Sequence, residues 1–470
     1  MSSLLKKIDT ERIRAFFLGR EYPLIIAALV IFGAVSGFEA PIMLIHSMLI
    51  FAVLLLCDSV KPLLISLCSF IYQISVVHAP QYPTYSNYIY TGWRLYMLIG
   101  AVVFIVSGLV IFTVKNKICS KISFKRTPLL LPTLIFALAL LTNGLFSSSW
   151  KSSNIVFALA NAVIYLVLYV FIYHGFSDRE SSAELGSYFA YIAMLCAVII
   201  SAELLHLFLT SDNIIVDGSI NKVGVALGWG IWNLVAVSLA MLIPLIFYGM
   251  MVNRYPWLYF TVASIAYVMS VLTMSRNALI FSTLTYCACV LICCFVGKHK
   301  RVFRIITLAG ICSVVLIVIV LWNRIYGVFA DYFERGFSDN GRFELWRGAF
   351  SAFLDAPVFG SGFYGLNIDY DRFGFLPKMA HQTVLQLLGT MGIFGILAYG
   401  YYRIRTAMAV FTRPNVMKCM LALSILTLLL ESLLDNFIFN FYPVFYYVVA
   451  LAIINRCTVE QQGEEKLTIW

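Results

Sequence analysis

The amino-acid sequence predicts an all-α fold, a polytopic transmembrane helical bundle of about fourteen spans with one large extracytoplasmic loop containing short helices. Three observations predict it. Apolar residues make up 61% of the 470 and charged residues 12%, about half the charged share of an ordinary soluble domain. The apolar residues come in runs of about 17 to 28, long enough to cross the hydrocarbon core as helices. Lys and Arg collect in alternate loops between those runs, as the positive-inside bias demands when the spans are counted correctly. A soluble domain is excluded, and the formal net charge of +10 reads as that bias rather than as a nucleic-acid surface.

In chain order, Met1 to Arg20 carries Lys6, Lys7, Arg12, Arg14 and Arg20 ahead of the first apolar run. With so many runs behind it, this segment reads as leading an uncleaved first helix rather than a secretion signal. The runs are 22–38, 41–57, 61–78, 95–114, 128–147, 154–174, 187–209, 223–250, 257–275, 277–296, 305–322, 382–402, 416–434 and 437–455. They leave only Asn323–Ala380 as a long stretch outside the membrane, so residues 1–470 read as one membrane domain with one elaborated loop. No fixed-period internal repeat is visible.

Orientation follows from the loops. One side collects the N-terminus, Lys115, Lys117, Lys125 and Arg126, then Arg254, then Lys298, Lys300, Arg301 and Arg304, then Arg403, Arg405, Arg413 and Lys418. That side is cytoplasmic and takes both termini. The opposite side receives the Tyr-rich Ala79–Gly92, which has no Lys or Arg, the turns near Lys151, Ser211–Lys222 and Asp435-Asn436, and the whole of Asn323–Ala380. Fifteen of the 58 residues in that loop are Phe, Tyr or Trp, too apolar for a disordered tether. The loop is expected to fold back onto the membrane surface. Asp339-Asn340-Gly341 caps a helix from about Arg342 to Leu354, with Phe343, Trp346, Phe350, Phe353 and Leu354 at helical spacing. Asp355-Ala356-Pro357 ends it and Gly360-Ser361-Gly362 supplies a turn. None of the eleven cysteines lies in the loop, so neither a disulfide framework nor a zinc site is supported.

This topology brings three cationic or titratable residues to one face. Arg276, in Thr273-Met274-Ser275-Arg276-Asn277, interrupts some forty apolar residues at an outer turn; a snorkelling arginine is the plain alternative, but a cation here runs against the charge bias. Arg342 opens the loop helix, where a cation opposes the helix dipole unless an anion compensates. Arg347, one and a half turns on, is a weaker candidate of the same kind. His381 stands where the loop re-enters the bilayer. Imidazole can take a proton from a hydroxyl near neutral pH, and guanidinium groups can hold a departing pyrophosphate by paired hydrogen bonds. Glu203, Glu431 and Asp435 approach the same face; two readings stand, that they line the site or that they pair with its arginines. His206 is a partner for Glu203. Asn233, with Trp229 and Trp232, is a candidate contact for a glycan or polyprenyl chain, although interfacial placement is the ordinary role of such tryptophans. With no His or Cys cluster in the loop, no metal ligand and no cofactor are expected.

At these residues the chain resembles the bacterial O-antigen ligase and O-antigen polymerase superfamily. The similarity rests on Ser275-Arg276 at a helix break, on Arg342 followed by Trp346, Pro357, Gly360 and Gly362, and on Ala380-His381 leading into a helix with Gly389, Gly392 and Gly395. It spans Leu272 to Tyr401. Gln382 departs from the Asn that the family often has after the histidine, with a similar amide. The resemblance implies metal-independent, inverting transfer of a glycan from undecaprenyl pyrophosphate to a sugar hydroxyl at the outer face of the bacterial inner (cytoplasmic) membrane. In that picture His381 activates the acceptor, while Arg276 and Arg342 stabilise the departing pyrophosphate. Expected partners are the lipid-linked donor glycan, the acceptor glycan, membrane lipids, and a chain-length regulator and flippase. Fourteen spans and 470 residues favour a polymerase over a ligase that hands the polymer to lipid A core.

A transporter or flippase is the different-class alternative, but it would place its charges near the midplane. A cell-wall glycosyltransferase of the shape, elongation, division and sporulation family would need Asp339, Asp355, Asp369 or Asp371 as its carboxylate.

Overall fold

The computed structural model describes residues 2–74, 92–148, 150–212, 214–216, 219–296, 300–328, 341–366 and 379–468. Most of Ala79–Gly92, and Asp339, Asn340, Asp369 and Asp371, lie outside the described residues. The helices are α1 (Ser2–Leu18), α2 (Glu21–Ser36), α3 (Glu39–Leu56), α4 (Leu63–Gln73), α5 (Trp93–Lys115), α6 (Leu130–Leu141), α7 (Ser153–Gly175) and α8 (Ser182–Thr210). The second half adds α9 (Trp232–Val252), α10 (Pro256–Leu272), α11 (Arg276–Phe295), α12 (Lys300–Val320), α13 (Trp322–Val328), α14 (Arg342–Asp355), α15 (Thr383–Phe411), α16 (Val416–Glu431) and α17 (Phe441–Thr468). Two small antiparallel hairpins, β1–β2 (Ile215–Val216, Ser219–Ile220) and β3–β4 (Ala226–Leu227, Gly230–Ile231), stand between α8 and α9.

The all-α membrane architecture is as the composition predicts, but the span count is not reached. Among the described residues, 8 helices are long and apolar enough to cross a membrane, or up to 9 if α1 and α2, bent by 70° at their junction, form one span. For four of the five remaining runs, all but the 305–322 run on the 21-residue α12, the difference has a geometric cause. The runs expected at 61–78, 128–147, 257–275 and 416–434 form helices that are shorter than the runs that encode them. At 1.5 Å per residue, Leu63–Gln73 reaches about 16 Å, roughly half the hydrocarbon thickness.

The run 223–250 is also split, because Gly228-Trp229 forms the two-residue loop of β3–β4, with Leu227 opposite Gly230. A Gly-X pair between two short extended segments is a hairpin signal, here hidden inside an apolar stretch. The helix α9 that follows is apolar all round and buried along most of its length, packed against α8, α10, α11 and α16. At the other extreme, α5 packs mainly on α3 and leaves most of its surface open, as a lipid-facing helix does.

Within the expected loop, α14 runs over Arg342–Asp355, one residue longer than its sequence pattern suggests. Its packed face differs from the expected one. Leu345, Ala349 and Ala352 are buried, whereas Phe343, Phe350 and Leu354 are exposed. Both sets recur at helical spacing, and the small residues win because they admit close approach: a Cβ added to Gly389 on α15 would lie 2.7 Å from the Ala349 carbonyl oxygen.

The helix α15 is broken at Gly392, whose φ of 64° and ψ of −160° suit only glycine. The break orphans the carbonyls of Gly389 and Thr390 and the amides of Ile393 and Phe394, which a continuous helix would pair with each other. The 357–362 turn takes all four: Ser361 and Gly362 N–H donate to Gly389 and Thr390 O, while Ile393 and Phe394 N–H donate to Pro357 and Val358 O, at 2.8 to 3.1 Å. A membrane interior tolerates a helix break on such terms.

Candidate active site

His381 stands just before Gln382, the N-cap of α15, with φ at 49°, a left-handed conformation uncommon outside glycine. The surrounding bonds hold it there. Ala380 N–H donates to Gln386 Oε1 (2.6 Å), Leu385 N–H to Gln382 Oε1 (2.5 Å) and Thr383 N–H to the Ser432 carbonyl (3.1 Å). Asn436 Nδ2 also donates to Gln386 Oε1 (3.0 Å), and Thr383 Oγ1 to the Asp435 carbonyl (3.3 Å). The segment 380–386 is therefore fastened to 432–436, the turn between α16 and α17.

That fastening sets a histidine against a carboxylate. His381 Nδ1 lies 3.0 Å from Asp435 Oδ1, with the histidine side chain 29% exposed and the aspartate 9%. Asp435 Oδ1 also accepts from Asn436 N–H (2.9 Å), and Oδ2 accepts from Asn233 Nδ2 (3.2 Å). Burial pushes Asp435 toward its neutral form, but the charge and hydrogen bond of His381, the Asn436 amide and Arg342 outweigh it, so its carboxyl stays below the usual aspartate range. Asp435 is thus an anion with hydrogen-bond partners on both oxygens, and the imidazole edge it holds is the Nδ1 edge.

Arg342 faces this aspartate, and Arg276 lies within electrostatic reach of Arg342. Arg342 is drawn down from the ordinary guanidinium value by burial, with Asp435 opposing the fall and Arg276 adding to it; the three charges therefore lie within electrostatic reach. Each arginine is the first residue of a helix, Arg276 of α11 and Arg342 of α14, and neither N-terminus has a side-chain cap. The N-cap of α14 is Gly341, and α11 has no acidic residue in its first turn. Each helix start lacks a side-chain cap and carries a guanidinium, although α14 also has Glu344 in its first turn, so positive potential gathers where Arg276 approaches Arg342 and Arg342 faces Asp435.

The α11 N-cap is Ser275, a residue type suited to capping, yet its hydroxyl donates to Asn233 Oδ1 at 2.8 Å instead. The preceding Met274 has φ at 58°, and Asn277 Nδ2 donates to the Leu434 carbonyl at 3.3 Å. The start of α11 is thereby joined to the same turn that holds His381.

The remaining sequence-derived candidates divide. Arg347 is exposed on α14, one face away from the partly buried Arg342. Glu203 is fully buried and accepts from Trp229 Nε1 at 2.8 Å, its other oxygen finding no hydrogen-bond partner among the described residues. Its hydrogen bond thus goes to an indole, and Trp229, 5% exposed, packs against Tyr72 and Tyr442. Glu431 ends α16 buried beside Asp435, close enough for the two carboxylates to repel. Asn233 has both ends of its amide engaged, with Ser275 and with Asp435. Sequence reasoning missed Thr383, Gln386 and Asn436 as site residues, and took Ser275 only as the neighbour of Arg276 at the helix break. Their signal was weak but present, since each is a polar residue at the edge of an apolar run.

Residues 260–400 match the family model described as O-antigen ligase. The match covers under a third of the chain, and takes in Arg276, Arg342 and α15 through the Gly392 break. It supports the O-antigen ligase and polymerase superfamily, whose members are membrane glycosyltransferase-like enzymes. No curated protein matches the chain.

Proposed function

We propose, with the O-antigen ligase family match as premise, that the chain is a polysaccharide polymerase of the O-antigen or capsule type. It transfers a glycan from undecaprenyl pyrophosphate to a sugar hydroxyl of a lipid-linked repeat unit. The observation that carries the reading is the convergence of His381, Asp435, Arg342 and Arg276 from four separate segments. In this reading the basic loops and both termini are cytoplasmic, the four runs that form shorter helices and the run carried by α12 complete fourteen passages, and the site lies at the outer face of the cytoplasmic membrane.

The chemistry follows from the geometry. Asp435 holds His381 through Nδ1, so Nε2 is the nitrogen that takes a proton. As the acceptor oxygen attacks the anomeric carbon, its proton passes to His381 Nε2. A new carbon–oxygen bond forms on one face while the bond to the pyrophosphate oxygen breaks on the other, with inversion. The leaving group departs as undecaprenyl pyrophosphate, its gathering negative charge met by Arg276 and Arg342 and the two helix starts. Asp435 stabilises the imidazolium that results. Acceptor glycan and membrane lipids are the immediate partners, with a chain-length regulator and a flippase acting around them.

A ligase is the second reading, favoured by the description of the matched family. The two separate on products. Purified protein given lipid-linked repeat units alone is expected to build a ladder of longer lipid-linked glycans. Transfer only when lipid A core is supplied identifies a ligase, and no transfer in either case overturns the glycosyltransferase reading.

A further inference from the structure

Asn233 lies on α9, distant in sequence from every other group in the site, and its amide is used at both ends. Nδ2 donates to Asp435 Oδ2 (3.2 Å) and Oδ1 accepts from Ser275 Oγ (2.8 Å). Reversing the amide would set Oδ1 against a carboxylate oxygen, so the charge of Asp435 fixes which way it points. Ser275 then donates to the only atom Asn233 leaves it. In doing so Ser275 forgoes capping α11, an interaction ordinarily worth about 1 kcal/mol. Asp435 and Ser275 are buried and Asn233 is half-buried, so both bonds are partly shielded from water.

We propose that Asn233 is a positioning residue that couples the helix start bearing Arg276 to the His381–Asp435 pair, and is not itself a contact for glycan or lipid. The inference rests on the reading of His381 as the base. Asn233 orients the Asp435 carboxylate so that Oδ1 faces His381, and it draws off part of that carboxylate's charge by donating to Oδ2. Through Ser275 the same amide fixes where α11 begins, and with it the backbone from which Arg276 projects. Donor binding at Arg276 and proton removal at His381 are thereby set in one register. The charged groups facing the pair are Arg342 from α14, with Arg276 of α11 beside it, and Glu431 from the end of α16. Of these, Glu431 is the one whose own titration could intrude, so Glu431→Gln is the background in which the pH measurements are repeated.

The experiment follows His381 directly. Diethyl pyrocarbonate modifies neutral imidazole, so its rate of reaction with His381 against pH, taken as the difference from His381→Ala, reports the histidine's titration without substrate. Asn233→Leu removes the donor to Asp435 and should move the midpoint upward. Turnover of lipid-linked repeat units should fall at least about tenfold in this variant, with the acid limb of the profile shifted the same way and donor KM rising as the helix start that bears Arg276 loosens. Ser275→Ala should reproduce the rise in donor KM with a smaller shift of the midpoint. An unmoved midpoint in Asn233→Leu with intact folding overturns the proposal, as does a rise in donor KM with turnover unchanged, which would make Asn233 a substrate contact. Should His381→Ala keep its turnover while Asn233→Leu still shifts the His381 midpoint, the base assignment fails and the positioning geometry survives.

Discussion

Asp435→Asn tests the central geometry most sharply. The substitution keeps the shape of the side chain and one carbonyl oxygen able to accept from His381 Nδ1, so the imidazole can keep its orientation. Asn233 can reverse its amide to meet the new NH2 group, with Ser275 then accepting instead of donating, so gross packing is preserved. What is lost is the charge. At the 3.0 Å separation of Nδ1 and Oδ1, a full imidazolium and a carboxylate attract by about 5 kcal/mol at an effective dielectric near 20. With the proton about half transferred at the transition state, roughly half of that, about 2.5 to 3 kcal/mol, is withdrawn. Turnover should fall about 100-fold. Single-turnover rates with saturating lipid-linked donor, measured at matched folding by size-exclusion profile, give the number directly. Turnover within about threefold of the parent protein would refute the reasoning, because the carboxylate would then contribute nothing to the histidine. A loss confined to donor affinity would refute it differently, by assigning Asp435 to Arg342 alone.

Four further outcomes follow from the same geometry. His381→Ala should lower turnover about 10²–10⁴-fold with donor binding nearly intact, whereas Arg276→Ala and Arg342→Ala should weaken donor binding as well, with Lys a poor substitute; equilibrium binding of the lipid-linked donor separates these, and the exposed Arg347→Ala should do little. Gly392→Ala places a Cβ 2.5 Å from the Val358 carbonyl oxygen and 2.6 Å from that of Pro357, at a φ of +64°, so it should cost at least about 2 kcal/mol and lower the detergent-solubilised melting temperature by several degrees. Because the folded state holds the Asp435 carboxyl below the ordinary aspartate value, its stabilising contribution is complete above that value and disappears as pH falls through the lower folded value; the melting-temperature advantage over Asp435→Asn should therefore be steady near neutrality and shrink below about pH 4. A cysteine at Asp355 should react with a membrane-impermeant thiol reagent in intact cells while Cys119 stays protected, and the reverse labelling would invert the proposed topology.

Some of this was legible in the sequence, for a definite physical reason. Arg276 and His381 stand out because charge in or beside an apolar run is costly, and Arg342 because a cation at a helix start opposes the dipole, so each asks for an explanation. The helix Arg342–Asp355 was legible from its spacing and its Ala356-Pro357 end. Pairing was not legible. Glu431 and Asp435, four apart, look like neighbours on one helix face, but α16 ends at Glu431, and that ending turns Asp435 toward His381 across 54 positions of sequence. Asn233 to Asp435 spans 202 positions, a contact that no local pattern can encode. The hairpin at Gly228-Trp229 was hidden by apolar neighbours, and the shorter helices by runs whose hydropathy continues past the point where the backbone turns.

The joint at Gly392 has a consequence for how such a protein can vary. The 357–362 turn and the broken helix are clamped mainly by main-chain groups, four N–H to carbonyl bonds, to which the Ser361 hydroxyl adds one by donating to the Gly389 carbonyl at 2.9 Å. A clamp of that kind depends little on the side chains around it apart from Ser361, provided glycine remains where a Cβ would intrude, as at Gly360, Gly389 and Gly392. The exposed rim of α14, with Phe343, Phe350 and Leu354, can then change without loosening the strut that seats Arg342 within reach of Asp435. Saccharide preference could drift along that rim while the reacting groups stay in register, so chemistry and substrate choice would answer to separate mutations.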